Sequence, residues 1–219
     1  MSQVSRRLQN FALGVGLGVG LSAVMSFSAI PTLADSHLVG SPFAQLPETE
    51  QAALRQGEIL VAAEGGRYQG KVLVKADPAV VWAVLTDYGS FSKFIPNVVS
   101  SEILESDGHQ KVIEQISIRQ VFVVSVRSRV RSRVTETPQK HIDFEMIDGD
   151  LESLQGRWQL EPIALSPEAS PTQVLIAYTA TAEPPSGPFE DAFPDVYKSA
   201  LKDTLMGIRD EVTSRSRSR

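Results

Sequence analysis

From Val98 to Ala182 the chain passes through strand-length segments in which apolar and polar residues alternate, each closed by turn-forming residues. The segments are Val98–Glu105, Lys111–Ile118, Phe122–Thr135, His141–Ile147, Ser153–Pro162 and Gln173–Ala182, with Asp107-Gly108, Thr137-Pro138 and Asp148-Gly149 among the breaks. Side chains two apart on a strand share a face. Ile142, Phe144 and Met146 therefore oppose His141, Asp143 and Glu145, and Leu154, Gly156, Trp158 and Leu160 oppose Gln155, Arg157 and Gln159. This is the pattern of an antiparallel sheet with one wet face. The period then changes. Phe193, Tyr197, Ala200, Leu201, Thr204, Leu205, Ile208 and Val212 recur at three- and four-residue steps, predicting an amphipathic helix from about Pro194 to Val212. A curved sheet gripping that helix buries both apolar faces, so the expected class is α+β.

Upstream, Ile59–Ala63 and Tyr68–Ala76 read as strands around Gly65-Gly66. Asp77-Pro78 starts a helix, because the aspartate oxygen can cap free N–H groups and proline needs no donor at the first helical position. Val80, Val81, Val84 and Leu85 give that helix an apolar stripe, ending near Asp87. A second short helix opens at Ser90, carries Phe91, Phe94 and Ile95, and stops at Pro96-Asn97. Residues 35–56 hold Pro42, Pro47 and few large apolar side chains, and read as a leader or linker with one short helix at 47–56.

The N-terminus reads as an export address. Arg6 and Arg7 precede a 20-residue uncharged run, Phe11 to Ile30, and Thr32-Leu33-Ala34 offers a small-residue cleavage site. The expected organisation is a signal peptide at 1–34, the leader at 35–56, a folded domain at 57–213 and a basic tail at 214–219. The expected location is the periplasm or an equivalent extracytoplasmic compartment such as a thylakoid lumen. An uncleaved N-terminal anchor is the alternative, since 20 apolar residues can span a bilayer; Gly14, Gly16, Gly18 and Gly20 weaken it.

Composition narrows the chemistry. The 219 residues include no cysteine, which removes disulfides, thiolate metal sites and cysteine nucleophiles. A net charge of −5 is the wrong sign for a nucleic-acid binder. His37, His109 and His141 are scattered, without metal-ligand spacing, and no Gly-x-Ser-x-Gly elbow occurs. No metal and no cofactor are expected.

The run Val84-Leu85-Thr86-Asp87-Tyr88-Gly89-Ser90-Phe91-Ser92-Lys93-Phe94-Ile95-Pro96-Asn97-Val98 resembles the helix-to-strand signature of START-like (SRPBCC) polyketide cyclase/dehydrase and coenzyme Q-binding proteins. Gly149-Asp150-Leu151-Glu152-Ser153-Leu154-Gln155-Gly156-Arg157-Trp158-Gln159-Leu160-Glu161-Pro162 resembles the same family's later hairpin. The resemblance covers about residues 68–213. It implies a helix-grip fold of the START-like or Bet v-like kind, with a hydrophobic cavity between the sheet and the C-terminal helix. It further implies a hydrophobic partner, a lipid or a prenylquinone, bound or carried; only some members are enzymes.

Within that frame Tyr88, Phe91 and Phe94 are either a cavity wall or simply the apolar side of a short helix. Phe144, Trp158 and Tyr178 are expected on the concave side, faced by Phe193, Tyr197 and Leu201 from the helix. No catalytic set is expected. In the alternative, a cyclase or dehydratase, Glu114 and Tyr178 are the acid–base candidates. Alternation puts Glu114 with Val112, Ile116 and Ile118, where an unpaired carboxylate is costly; a register change would turn it to solvent. Arg127, Arg129, Arg131 and Arg133 share one face of a strand. They either meet anionic lipid headgroups or an acidic partner, giving peripheral membrane contact, or form a solvated convex face paired with Asp143 and Glu145.

Overall fold

The computed structural model describes residues 41–121, 123–164, 168–187 and 190–218. The expected signal peptide and the first residues of the leader lie outside them, as do Phe122 and Arg219. Eight strands form one antiparallel sheet: β1 (Ile59–Glu64), β2 (Arg67–Val74), β3 (Val98–Asp107), β4 (Gln110–Val121), β5 (Val124–Thr137), β6 (His141–Gly149), β7 (Ser153–Ile163) and β8 (Gln173–Glu183). Their spatial order is β1-β2-β8-β7-β6-β5-β4-β3. Consecutive strands from β3 to β8 are neighbours. The long-range pairing of β2 with β8 then brings the first hairpin into the same sheet.

Among the described residues four α-helices accompany the sheet: α1 (Glu48–Arg55), α2 (Pro78–Leu85), α3 (Phe91–Phe94) and α4 (Phe193–Arg217). Asp77 caps α2, its Oδ1 accepting from the Ala79 N–H at 2.7 Å. A single 3-10 turn at Tyr88–Ser90 links α2 to α3, and the segment carries the chain from β2 across to the opposite edge at β3. This is the helix-grip α+β fold. Leu201, Leu205, Ile208 and Val212 of α4 are buried against Tyr68, Val72, Val81 and Val84 in the main core.

Two glycines let α4 sit where it does. A Cβ at Gly70 of β2 would come within 2.6 Å of Leu205 Cδ1 and 3.1 Å of Leu201 Cδ2. At Gly207 it would overlap the Phe94 carbonyl oxygen and lie 3.1 Å from Pro96 Cδ.

The ends differ from their sequence-based reading. The expected basic tail continues α4 to Arg217. It is held there because Arg215 donates to Asp87 and to Glu211, each at 2.7 Å. The described part of the leader is also folded onto the domain. Phe43 and Leu54 are buried with Leu73 and Leu175 in a second, smaller core. Leu73 and Leu175 pair across β2 and β8 on the face opposite Val72 and Ile176, so this cluster covers the sheet's outer side. The Phe43 N–H donates to Glu161 Oε2 at 2.9 Å, and Lys71 pairs with Glu50 at 2.7 Å. Among the described residues no helix is long and apolar enough to cross a membrane.

The contact at Gly207 is with backbone, which cannot swing aside as a side chain can. Gly207→Ala is therefore expected to cost about 1–3 kcal/mol in urea unfolding. Gly89→Ala, with nothing within 4 Å of its added methyl, is expected to stay within about 0.5 kcal/mol.

Candidate functional site

The nearest backbone neighbours of α4 are β1, β2, α2 and α3. Over the rest of the sheet the gap is bridged by side chains, and a pocket of about 250 Å³ remains. Alternation decides what faces it. β4 contributes Ile113, Gln115, Ser117 and Arg119, and β5 contributes Ser128, Val130, Ser132 and Val134. Ile142 and Phe144 of β6, Leu154 and Trp158 of β7, and Tyr178 of β8 continue the floor. Tyr197, Ala200, Leu201, Thr204 and Ile208 come from α4, while Leu85, Tyr88, Phe91, Ile95 and Pro96 form a further wall.

The aromatic floor is built on a glycine. Phe144 pairs with Gly156 across β6 and β7, and a Cβ at Gly156 would lie 2.6 Å from Phe144 Cζ. The bare backbone lets the Phe144 ring lie nearly parallel to Tyr178, at 5.5 Å and 15°. The Trp158 ring meets Tyr178 at 4.6 Å, tilted by 59°. Two polar links join sheet to helix. The Tyr178 and Tyr197 hydroxyls lie 2.6 Å apart, and Arg119 Nη1 donates to Asp203 Oδ2 at 2.9 Å. At Tyr88, Glu136 Oε1 accepts from the phenol at 2.9 Å and from Lys111 Nζ at 2.6 Å.

Burial pushes the Tyr178 hydroxyl well above the usual tyrosine range, and raises Tyr197 to about 12. Tyr88 is raised as well, by burial first and then by the charge of Glu136, and Tyr68 is raised by burial. All of these phenols are neutral donors at physiological pH.

Of the expected ligand-side residues, the structure places Tyr88, Phe91, Phe144, Trp158, Tyr178, Tyr197 and Leu201 on the pocket. Phe94 and Phe193 do not line it. Phe94 packs edge-on against Phe91 at 5.6 Å, under the Arg215 guanidinium. Phe193 packs against Tyr68 at 6.2 Å and Tyr197 at 5.6 Å. Both rings support residues that reach the pocket.

Glu114 is the larger correction. It does share a face with Val112, Ile116 and Ile118, but that face is the convex one. Its Oε2 accepts from Arg131 Nη2 at 2.8 Å and from Arg129 Nη1 at 3.3 Å. The Arg131 hydrogen bond, chiefly, holds its carboxyl below the usual range. Apolar count misleads here because Ile116 and Ile118 stand opposite Arg129 and Arg127 in register, where long arginine stems can cover them. The acid–base pair of Glu114 with Tyr178 therefore does not assemble.

The arginine ladder lies on the same convex face, with partners other than those expected. Arg129 pairs with Asp148 at 2.7 Å, whereas Asp143 pairs with Arg157 at 2.6 Å. Glu145 stands opposite Arg133 in register without an ion pair among the described residues. A bulge explains the exchange. The β5–β6 register shifts between Arg131↔Asp148 and Ser132↔Met146, so one extra residue turns Asp148 outward when strict alternation would point it in with Met146. Arg127 and Arg133 are exposed.

Sequence reasoning missed the polar lining: Gln115, Ser117, Arg119, Ser128, Ser132 and Thr204. The signal was there in the odd residues of β4 and the even residues of β5, once the arginine ladder is taken to mark the outside.

The model of the family described as polyketide cyclase / dehydrase and lipid transport matches residues 74–209, from the end of β2 into α4. The chain belongs to this family. Solved structures share the fold. The protein TTHA0849 from Thermus thermophilus aligns with a TM-score of 0.60 at 15% identity, over 68% of this chain and 99% of that one. A STAR-related lipid transfer protein from Xanthomonas axonopodis gives 0.56 at 19%, over 71% and 92%. The Zhui aromatase/cyclase from a Streptomyces species gives 0.54 at 16%, over 70% and 94%. No curated protein sequence matches the chain. Family membership supports a hydrophobic ligand-binding domain, and the pocket is where this member's aromatic side chains converge.

All four tyrosines are pushed above their ordinary value of 10.0. Because the folded state favours the neutral phenol, their contribution is fully present below that value and is lost as pH rises through the folded values. Alkaline titration is expected to show phenolate absorbance appearing later than in the unfolded chain, the last of it accompanied by loss of the near-ultraviolet circular dichroism signal. A tyrosine ionising near its ordinary value with the fold intact would contradict this.

Proposed function

We propose that this protein is an exported carrier that holds one small apolar molecule in the pocket between the sheet and α4. The observation that carries the reading is the character of the lining. Aromatic and aliphatic side chains dominate, and the one charged lining residue, Arg119, is already engaged by Asp203. Apolar burial contributes roughly 25 cal/mol per Å², so a molecule need not make many polar contacts to bind here. An enzyme reading is less favoured because Glu114 lies outside.

Size refines the ligand. A volume of about 250 Å³ is just below the range of roughly 300–1,000 Å³ common for ligand pockets. It suits a compact ring system or a short chain. A prenylquinone or lipid would place its head or one short stretch in the pocket and lead its tail out. Two relatives' names, lipid transfer and aromatase/cyclase, fit a pocket for apolar or polycyclic molecules. Export rests on the N-terminal pattern of two arginines, an uncharged run and a small-residue site at Thr32-Leu33-Ala34.

Val130 lines the pocket from β5 and is not part of the buried main core, so a larger side chain there takes up pocket space. Val130→Phe is expected to weaken binding of an apolar fluorescent probe, N-phenyl-1-naphthylamine, at least tenfold while the far-ultraviolet spectrum is kept. Glu114→Gln should leave it unchanged. Probe binding that is unaffected by Val130→Phe would place the apolar site elsewhere.

A further inference from the structure

The β4–β5 hairpin ends in a way that neither the pocket nor the sheet requires. Val121 and Val124 pair at its end, where hairpin turns usually carry glycine, asparagine or aspartate. Val123 is 91% exposed and Val124 47%, and three rungs back from the end Ile118 is 41% exposed. Exposed apolar side chains scattered singly are ordinary, but gathered at one projecting tip they mark a contact. Charge singles out the same place. Between Glu114 and Glu136 the sequence holds five arginines and no acid, in a chain whose net charge is −5. Arg129 and Arg131 are met by Glu114 and Asp148. Arg127, opposite Ile118 in register, is exposed and makes no ion pair among the described residues.

We infer that the tip of the β4–β5 hairpin is a docking point for an anionic bilayer, with Val123 and Val124 entering the acyl boundary and Arg127 meeting headgroup phosphates. The spacing fits. Three residues of strand separate Val124 from Arg127, about 10 Å at the usual rise. The headgroup layer on each side of a bilayer is about 5–8 Å deep, and the long arginine side chain closes the difference. A tip of two strands, about 5 Å apart, is too narrow for the roughly 800 Å² that a protein partner usually covers. A bilayer needs no matching shape, and its anionic surface complements a cation that has no partner of its own. Docking does not require the pocket to be filled, so it stands or falls apart from the carrier reading. Where both hold, the pocket residue Arg119, two rungs from the tip and bonded to Asp203, brings its side of the pocket to the bilayer.

The test uses the full chain. The sequence has no cysteine, so Val123→Cys gives a single site for a nitrobenzoxadiazole label, whose emission reports burial in lipid. Ser106→Cys, exposed near the opposite end of the β3–β4 pair, gives the control. With vesicles of phosphatidylcholine and phosphatidylglycerol, the label at 123 is expected to brighten, shift to the blue and be quenched by lipids brominated on their acyl chains. Phosphatidylcholine alone should give a weak response, and the label at 106 should give none. Arg127→Gln in the 123-labelled chain should lower the label's partition into the bilayer about fivefold at low salt, the share of one arginine near an anionic surface. The readout is local, so vesicle attachment through the uncharged run at 11–30 leaves it unmoved. A silent label at 123 on anionic vesicles would overturn the docking point, as would an equal response at 106. A response to soluble polyglutamate in place of vesicles would also overturn it and assign the tip to an acidic protein.

Discussion

The seating of α4 on one half of the sheet is the constraint on which the rest depends. Leu201, Leu205, Ile208 and Val212 are buried against the concave face, and they reach it only because Gly70 and Gly207 have no side chains in the way. The helix is fixed again at its far end by Arg215, which joins Asp87 to Glu211. Contact with β1 and β2 is close. The same rigid rod cannot also follow the curve of β4 to β7, and the pocket is the space left over. Side chains long enough to cross it, Tyr197 to Tyr178 and Asp203 to Arg119, tie the two layers together without filling it.

The two faces of the long β4–β5 hairpin do different physical work. Outward, Arg129 and Arg131 share Glu114 and Asp148 in a compact network, a surface feature of modest energy. Inward, the same strands present Ile113, Gln115, Ser117 and their neighbours across β5. A one-residue slip would exchange these sets, burying four arginines. The ladder thus acts as a register marker as much as a charged surface.

Much of this was legible in the sequence because period is a strong signal. The strands, the cap at Asp77, the amphipathic α4 and the inward set Phe144, Trp158 and Tyr178 all follow from spacing. What escaped were features that depend on a partner. The bulge that turns Asp148 outward breaks the alternation used to predict it. Glu114 could be put on a face by counting, but which face is the outside is a tertiary fact. Phe94 and Phe193 have the right spacing for the pocket, yet their neighbours Phe91 and Tyr197 occupy it first. The tail at 214–217 stays helical with Arg215 paired to Glu211 one turn back and to Asp87, a residue 128 positions away. The short helix expected at 47–56 forms as α1, but that Phe43 and Leu54 pack on the domain depends on Leu73 and Leu175, partners that spacing within the leader does not show.

Membership of a family whose folds serve both transport and cyclisation makes the occupied state of the pocket the decisive observation. The most direct measurement is native mass spectrometry of the protein purified from its own host without detergent, followed by solvent extraction. A stoichiometric adduct of a small apolar molecule, released on extraction, on a polypeptide whose mass begins at Asp35, is the predicted result. A clean mass in every preparation, with no uptake when the protein is incubated with an extract of its host's lipids, would contradict the account.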